Sequence, residues 1–309
     1  MALTYGFMGS GRFAARCLEI ISSEITPRWV LTNAPKSAGR GLAQRNTPVW
    51  EYADANGFTV YTTEKLSADT ERIAQIKESC PDVILVIDFG QMIKEPVLSA
   101  ASLGCINIHP SRLPEFRGSA PIQRALMQGI ASTAVSIFRL DEGMDSGPIL
   151  AQPELEIDSD DNTASLMEKA ARLGAETLLR FLRDIPASEW KFTEQKEETA
   201  SIAPKIDKIA GKIDWKHENA VEIIKKIRGI GEAPGVFCTY RGKRLRIHKA
   251  EAAAGSGEAG LIKIVSGFPT VYCRNGAIKL LEVQPEGKKA QRAEEWARGA
   301  RIEENAALE

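Results

Sequence analysis

Two spacings of apolar side chains alternate along the first two-thirds of the chain. Short apolar runs, of which residues 82–88 (DVILVID) show almost no polar alternation, predict strands buried on both faces, as in parallel sheets. Between them lie segments whose apolar positions recur at helical spacing. Strands are predicted at 2–8, 28–32, 59–61, 82–88, 105–108 and 134–140, and helices at 13–21, 47–56, 69–79, 121–127 and 162–182. This alternation predicts a doubly wound, Rossmann-like α/β domain with a mostly parallel sheet.

After residue 185 the pattern changes to short strands separated by turn residues. Residues 186–206 are polar and turn-rich, which is typical of a linker. A helix near 218–228 is followed by closely spaced strands at 236–240, 243–250, 260–265, 270–273 and 277–283. Such an arrangement predicts a small β-barrel of the OB type. We therefore expect an α/β domain over 1–185, a linker over 186–206 and a barrel over 207–309.

Charge is distributed unevenly, although the net charge of the whole chain is only −1. Residues 204–309 hold 20 Lys and Arg against 14 Asp and Glu, whereas residues 1–203 are acidic. A basic module on an acidic body predicts a polyanionic partner. Chance variation of surface charge explains the same count equally well, so charge alone does not decide the matter.

Composition narrows the class of protein further. No apolar run approaches the roughly 18 residues of a membrane span. Residues 1–13 have no basic stretch followed by a long apolar one, so we expect a cytoplasmic protein without a secretory leader. The five cysteines form no CxxC pair, which suits a reducing compartment and disfavours a thiolate metal site.

A glycine motif follows the first predicted strand. Residues 9–14 (GSGRFA) fit the G-x-G-x-x-G/A pattern of dinucleotide-binding turns. The second predicted strand ends at Thr32 and Asn33, without the acidic residue that holds a ribose in such sites. A close turn that packs a helix onto the sheet is therefore favoured over nicotinamide binding.

The densest group of polar residues suited to chemistry lies between positions 104 and 147. Asn107 and His109 are two residues apart at the end of a predicted strand, so their side chains share one face. In acyl transfer to an amine, an amide such as that of Asn107 can donate to the oxyanion, a contact worth ~3 kcal/mol of barrier. An imidazole can move a proton near neutral pH. Asp145, flanked by Gly143 and Gly147, can orient that imidazole or accept the proton of the amine.

Each of these residues also has a purely structural explanation. A histidine at a strand end is more often a satisfied structural group, and an aspartate beside glycine is often a turn former. The three residues together are far more specific. The carboxyl end of a strand is also where open α/β sheets bind ligands.

The segments 106–123 (INIHPSRLPEFRGSAPIQ) and 141–150 (DEGMDSGPIL) resemble the signature of formyltransferases that use 10-formyltetrahydrofolate. Further elements at 37–41, 89–93, 212–215 and 284–289 resemble those of the methionyl-tRNA formyltransferases, so the resemblance covers nearly the whole chain. It implies transfer of a formyl group from the folate, as cosubstrate, to methionine on initiator methionyl-tRNA. It implies neither a metal nor a membrane partner, and a monomer is expected.

The resemblance also implies roles for particular residues. It gives the chemistry to Asn107, His109 and Asp145. The implied folate contacts are Phe89, Gly90, Gln91, Ile93, Ser111, Leu113, Pro114, Asp141 and Gly143. The implied tRNA contacts are Arg40, Arg45, Arg241, Lys243, Arg244, Lys288 and Lys289. Leu42 and Ala43 stand where the family often carries lysines, which makes that loop less basic.

Two alternatives stay open. A formyltransferase acting on a sugar amine or another small amine would use the same catalytic residues, but it would not need a basic barrel. A non-catalytic RNA-binding protein on a retired enzyme fold would not need to keep Asn107, His109 and Asp145 together.

Overall fold

The computed structural model describes residues 3–38, 43–303 and 306–309. These residues form two compact units. The first comprises the described residues up to Pro121 together with Ser132–Ile157 and Ser165–Ala203. The second comprises Ile122–Ala131, Asp158–Ala164 and the described residues from Pro204 onward.

The strands are β1 (Tyr5–Gly9), β2 (Trp29–Asn33), β3 (Lys36–Ala38), β4 (Ala43–Arg45), β5 (Val60–Thr63), β6 (Val83–Ile87), β7 (Cys105–His109), β8 (Ser132–Ala134), β9 (Ser136–Arg139), β10 (Ile149–Ala151), β11 (Glu154–Glu156), β12 (Val236–Tyr240), β13 (Lys243–Ala253), β14 (Ile262–Val265), β15 (Phe268–Tyr272), β16 (Ala277–Pro285) and β17 (Gln291–Arg292). The helices are α1 (Arg12–Ser22), α2 (Pro48–Ala55), α3 (Thr70–Ser79), α4 (Pro121–Gln128), α5 (Thr163–Arg183), α6 (Ala220–Ile230) and α7 (Ala293–Ala300). None of the described helices is both long and apolar enough to span a membrane.

The first unit is built on a seven-stranded sheet in the order β10-β9-β7-β6-β1-β2-β5. The five strands from β7 to β5 are parallel, and β9 and β10 complete the sheet in antiparallel pairing. The chain runs outward from β1 to β2 and β5, then returns to β6 on the other side of β1. The carboxyl ends of β1 and β6 therefore form the switch point where such sheets bind ligands. The predicted mostly parallel α/β sheet is confirmed.

Helices cover both faces of this sheet, as the unbroken apolar strands require. On one face Met8, Ile84 and Val86 pack with Ile76 of α3. On the other face β7 lies against α5. A Cβ on Gly174 of α5 would come within 2.5 Å of the Ile108 side chain, so only glycine permits this approach.

The structure differs from the sequence prediction at two places in the first unit. The predicted strand 134–140 breaks at Val135, whose N–H donates to the carbonyl of Pro153 (3.0 Å), so that β8 pairs with β11 and β9 with β7. The residue pattern of 134–140 (AVSIFRL) does not mark where the chain leaves one sheet for another. Residues 190–203, expected as part of a linker, form backbone bridges at Thr193 and Ile202.

The second unit takes in α4, which the sequence places within the first domain. Gly229 of α6 allows close packing, since a Cβ there would meet the Met127 side chain at 2.7 Å. The Lys225 ammonium donates to the Gln128 carbonyl (3.0 Å). These contacts link segments that are about 100 residues apart in sequence, which no local pattern reports.

The second unit also holds an antiparallel sheet in the order β12-β13-β16-β15-β14, with β17 on β16. Strand pairs among the described residues do not join β12 to β14, so the barrel is open. The end of the chain lies between these edges: Glu309 exchanges two hydrogen bonds with Thr239 of β12 (2.7 and 2.9 Å), and the Leu308 N–H donates to the Gly260 carbonyl (2.8 Å). The predicted antiparallel β unit is thus confirmed, in open form.

Candidate active site

Strand β7 places two of the predicted catalytic residues side by side. Its pairing with β9 sets Asn107 opposite Phe138 and His109 opposite Ser136. Because side chains alternate along a strand, Asn107 and His109 face away from α5, whereas Ile108 packs against it. The amide and the imidazole therefore share one face at the carboxyl end of β7.

The His109 ring is buried, with 6% of its surface exposed, and both of its nitrogens face acceptors. Nε2 lies 3.0 Å from the carbonyl oxygen of Phe116. Nδ1 lies 3.7 Å from Oδ2 of Asp145. A carbonyl oxygen can only accept, so Nε2 carries a hydrogen, and Nδ1 is the ring nitrogen that faces the carboxylate. The imidazole and the carboxylate thus face one another across a gap of 3.7 Å.

The Asp145 carboxylate is positioned by one backbone N–H donor and by the loop that carries it. Its Oδ2 accepts the backbone N–H of Gly118 (2.8 Å). Its own backbone has a φ of +53°, in the left-handed region that a residue with a side chain enters only at a cost. Gly147 ends the loop because a Cβ there would overlap the Arg139 carbonyl oxygen at 1.8 Å. The loop therefore places the carboxylate beside the imidazole. Its backbone conformation needs stabilising contacts from residues outside the loop.

The Asn107 side chain is half-buried, and no described protein group makes a hydrogen bond to its amide. Most buried or half-buried amides in proteins are paired, so an amide left without a protein partner is available to a ligand. Asn107, His109 and Asp145 are thus brought together at one strand end. The site can accept a proton from an amine and donate to a developing oxyanion.

Sequence reasoning missed part of this site. Arg117 is buried, and its guanidinium donates to the Glu197 carboxylate (2.6 and 2.9 Å) and to Oε1 of Gln195 (2.8 and 3.1 Å). Nε2 of Gln195 in turn donates to the backbone carbonyls of Asp145 (2.8 Å) and Gly147 (2.7 Å). The sequence offered one signal, the presence of Arg117 among the polar residues between positions 104 and 147. The partners of Arg117 could not be foreseen, because residues 186–206 have the polar composition of an ordinary linker.

The turn after β6, which the resemblance assigns to the folate, offers mainly its backbone. Its buried apolar residues are Phe89 and Ile93. Gly90 has a φ of +75°. The Gln91 amide donates to Asn33 (2.6 Å) and accepts the N–H of Leu66 (2.8 Å), so it is already bonded within the protein.

The other residues assigned to the folate lie on two loops. Ser111 and Leu113 are buried, and the Ser111 hydroxyl donates to the Glu115 carbonyl (2.6 Å). The Pro114 carbonyl accepts a backbone N–H from residue 201. Asp141 and Gly143 are exposed, and the Asp141 carboxylate accepts the Gly143 N–H (2.9 Å). The first loop is internal structure, whereas the second presents a free surface beside Asp145.

The glycine motif of residues 9–11 forms a close turn. The N–H groups of Ser10 and Gly11 donate to the Asp88 carbonyl (3.1 and 3.3 Å). A Cβ on Gly11 would lie 1.7 Å from the Asp88 carboxylate, which therefore stands at the start of α1. The N–H groups of Ser10 and Gly11 are thus already bonded, and the Asp88 carboxylate puts a negative charge where a phosphate would lie. The turn thus serves helix packing, as the sequence favours.

A cavity of about 320 Å³ opens next to this turn, lined by Ser10, Gly11, Asn33, Ala34, Arg45, Thr47, Asp88, Phe89 and Gly90. The Asp88 carboxylate is open to the cavity, yet the surrounding protein restricts its hydration and raises its pKa to about 6. Arg45, predicted to contact tRNA, is exposed at the cavity wall, whereas Arg40 lies outside the described residues. The cavity lies at the switch point of the sheet.

The second unit gathers basic side chains at one end of its sheet. Pairing of Leu245 with Pro285, and a bond from the Glu286 N–H to the Arg244 carbonyl (2.9 Å), bring the β12–β13 hairpin beside the turn after β16. The exposed basic residues of this end are Arg241, Lys243, Arg244, Lys288 and Lys289. Arg244 stacks on Phe237 (3.6 Å to the ring centre). We call these five residues the basic end.

Arg241 and the lysines of the basic end differ in whether an acidic side chain pairs with them. Arg241 pairs with Glu303 at 3.2 Å, which offsets part of its charge. Lys243, in contrast, makes no ion pair with the described residues, and the same holds for the two lysines of the turn. The positive charge of this surface therefore comes mainly from the lysines and from Arg244.

Comparison with known proteins adds an independent line of evidence. A family model described as "Formyl transferase" matches residues 7–182, and one described as "Formyl transferase, C-terminal domain" matches residues 205–301. The chain is 37% identical over 293 residues to a methionyl-tRNA formyltransferase of Paracoccus denitrificans, covering 95% of this chain and 96% of the relative. It is 37% identical over 303 residues to that of Myxococcus xanthus, covering 96% and 95%.

Solved structures with low sequence identity share the fold. The sugar 3N-formyl transferase WlaRD aligns with a TM-score of 0.65 at 18% identity, covering 94% of this chain and all of that one. An N-formyltransferase from Helicobacter canadensis aligns with a TM-score of 0.65 at 17% identity, covering 92% and 99%. With two matching family models and relatives similar over their full length, the chain belongs to the formyl transferase family, and among its members to the methionyl-tRNA formyltransferases.

Proposed function

We propose that this enzyme transfers the formyl group of 10-formyltetrahydrofolate to the α-amino group of methionine on initiator methionyl-tRNA, giving N-formylmethionyl-tRNA for translation initiation. The observation that carries the proposal is the facing pair of His109 Nδ1 and the Asp145 carboxylate, 3.7 Å apart, beside the unbonded amide of Asn107. The names of its full-length relatives support the acceptor. In this proposal the predicted domain 1–185 carries the reacting side chains, and the predicted domain 207–309 holds the tRNA.

The reaction begins at the amine. The α-ammonium of the acceptor lies between His109 Nδ1 and Asp145, and this pair accepts one proton from it, which leaves the amine neutral. The nitrogen lone pair then attacks the formyl carbon, and the electrons of the C=O bond move onto oxygen. The Asn107 N–H donates to that oxyanion.

Collapse of the intermediate completes the transfer. The bond between the formyl carbon and N10 of the folate breaks, and its electron pair stays on N10. The proton held by the His109–Asp145 pair passes to that nitrogen, so the pair returns to its starting state. The attacking nitrogen, which became cationic when its new bond formed, releases its surplus proton to solvent. The products are the formylated amine, tetrahydrofolate and that one proton.

The folate is proposed to lie between two loops at the switch point. The turn from Phe89 to Ile93 offers backbone groups, and the exposed loop from Asp141 to Gly143 offers the opposite wall. Ser111, Leu113 and Pro114 are proposed to shape the base of this site. This placement puts N10 near Asp145, because Asp145 lies two residues after Gly143 of the second loop.

The tRNA is proposed to bind through the basic end of the second unit and through Arg40 and Arg45 of the first. Lysines that have no ion pair among the described residues can neutralise phosphates and release counterions, which gives affinity that falls with salt. Such contacts position the nucleic acid without reading its sequence. A small amine acceptor would need no surface of this kind.

An acceptor competition tests the proposal. The enzyme is incubated with 10-formyltetrahydrofolate and either methionyl-initiator tRNA, uncharged tRNA, or a panel of nucleotide-linked amino sugars, and formylated products are identified by mass spectrometry. We expect a formyl group on the charged tRNA alone. Formylation of an amino sugar in preference to the charged tRNA would replace the proposed acceptor, and no transfer to any amine would refute the activity.

A further inference from the structure

The side chain of Gln195 uses its whole hydrogen-bonding capacity between two loops of the active site. Its two N–H groups donate to the carbonyls of Asp145 (2.8 Å) and Gly147 (2.7 Å), and its Oε1 accepts from Arg117 (2.8 and 3.1 Å). Carbonyls require donors and a guanidinium requires an acceptor, so these partners define the orientation of the amide without ambiguity.

Arg117 supplies a rigid support for that amide. Its guanidinium is buried and pairs in a bidentate manner with Glu197. Its backbone is also bonded to the same segment: the Arg117 N–H donates to the Ser201 carbonyl (2.9 Å), and its carbonyl accepts the Ala203 N–H (2.7 Å). Bidentate guanidinium–carboxylate pairs restrict geometry as well as adding energy. Arg117 therefore fixes the Gln195 amide through its oxygen, and the nitrogen of the same amide bonds to the Asp145 loop.

The Asp145 loop needs such support. Its left-handed backbone, at a φ of +53°, persists only when the surroundings over-determine it. The Gly118 N–H holds the carboxylate, but only Gln195 among the described side chains bonds to the Asp145 carbonyl. Without the two bonds from Gln195 to the carbonyls of Asp145 and Gly147, the loop can relax, and the carboxylate would move away from Nδ1 of His109. A misplacement of about 1 Å can cost on the order of 100-fold in rate.

We propose that Gln195 is a positioning residue for formyl transfer: its amide holds the backbone at Asp145 and Gly147 and so keeps the Asp145 carboxylate facing His109. This inference rests on the proposed function, because the measured quantity is the rate of that reaction. Gln195 reaches the substrate through Asp145 alone. Its loss should therefore lower kcat while leaving the Michaelis constants for folate and acceptor nearly unchanged.

Two substitutions test the inference against a neighbouring control. Gln195→Ala removes the amide, and Gln195→Glu keeps its size and its bond to Arg117 but sets an oxygen against two carbonyl oxygens. For both we expect kcat to fall about 10- to 100-fold, with KM values within threefold and the thermal midpoint preserved in at least one of them. Glu194→Ala, in the same exposed segment, should match the wild type. A Gln195→Glu enzyme with near wild-type kcat would overturn the inference.

A double-mutant cycle separates positioning from a general structural role. If Gln195 acts through the Asp145 carboxylate, adding Gln195→Ala to Asp145→Asn should slow single-turnover transfer by less than threefold. A further loss as large as that in the wild-type background would refute the route through Asp145. Wild-type enzyme that transfers no formyl group at all would instead refute the proposed function, so the two failures are distinguishable.

Discussion

Replacing Asn107 by alanine should slow the chemical step by about 100- to 1000-fold and leave the fold intact. The magnitude follows from its position. The amide has no hydrogen-bond partner among the described residues, so its N–H is free to donate to the oxyanion, and loss of one such donor costs about 3–4 kcal/mol of barrier. The same isolation predicts little loss of stability, because no protein hydrogen bond is broken and the side chain is only half-buried.

The assay measures single-turnover formylation of methionyl-initiator tRNA with the enzyme in excess over the tRNA. This format reports the chemical step without product release. Chemical denaturation of the same preparations reports the free energy of unfolding, which should change by less than about 1 kcal/mol. Asn56→Ala, at an exposed asparagine at the end of α2, is the matched control and should keep the wild-type rate.

Asn107→Asp sharpens the test. It preserves the shape of the side chain but replaces a donor with a carboxylate oxygen, so the oxyanion would meet a negative charge instead of an N–H. We expect this variant to be at least as slow as Asn107→Ala. A rate within tenfold of the wild type for either variant, with folate binding unchanged, would refute the oxyanion role. Asn107 would then contribute only to the shape of the site.

Further predictions concern the rest of the site and the second unit. Asp145→Asn should lower kcat about 100-fold or more with the unfolding midpoint preserved; a change in folate affinity alone would make Asp145 a binding residue. Reversing the charge of Lys243 and Arg244 should weaken tRNA binding and reduce the slope of log K against log salt by roughly one for each phosphate that is no longer neutralised; an unchanged slope would place the RNA elsewhere. Leu308→Ala should destabilise the second unit by about 2–3 kcal/mol in chemical denaturation, because Leu308 is only 3% exposed within its core; a loss below about 0.5 kcal/mol would show that the site collapses around the smaller side chain.

Local patterns predict the elements that carry the candidate catalytic residues. The unbroken apolar run of β6 indicates a buried parallel strand, and the two-residue spacing of Asn107 and His109 places both on one face of β7. The glycines at 143 and 147 indicate a tight loop around Asp145. These inferences succeed because side-chain alternation and glycine conformations depend on a few neighbouring residues.

Contacts between distant segments are not readable in the same way. Gln195 lies 50 residues from Asp145 and 78 from Arg117, in a stretch whose composition matches any surface loop. The break at Val135 and the packing of α4 with α6 likewise depend on which partner strand or helix is present. The composition of a segment indicates how polar the segment is, but it does not indicate which residues the segment packs against.

The amino-acid sequence by itself determines the α/β and antiparallel β units, the strand end that bears Asn107 and His109, and the basic character of residues 204–309. Only the tertiary structure decides that Nδ1 of His109 faces Asp145, that Gln195 and Arg117 hold the Asp145 loop, and that the chain end from Ala306 to Glu309 lies between β12 and β14. The physical reason is the separation along the chain of the residues that interact. Strand and helix periodicity arise from interactions between near neighbours, whereas the geometry of a site is set by hydrogen bonds between residues that meet only after the chain has folded.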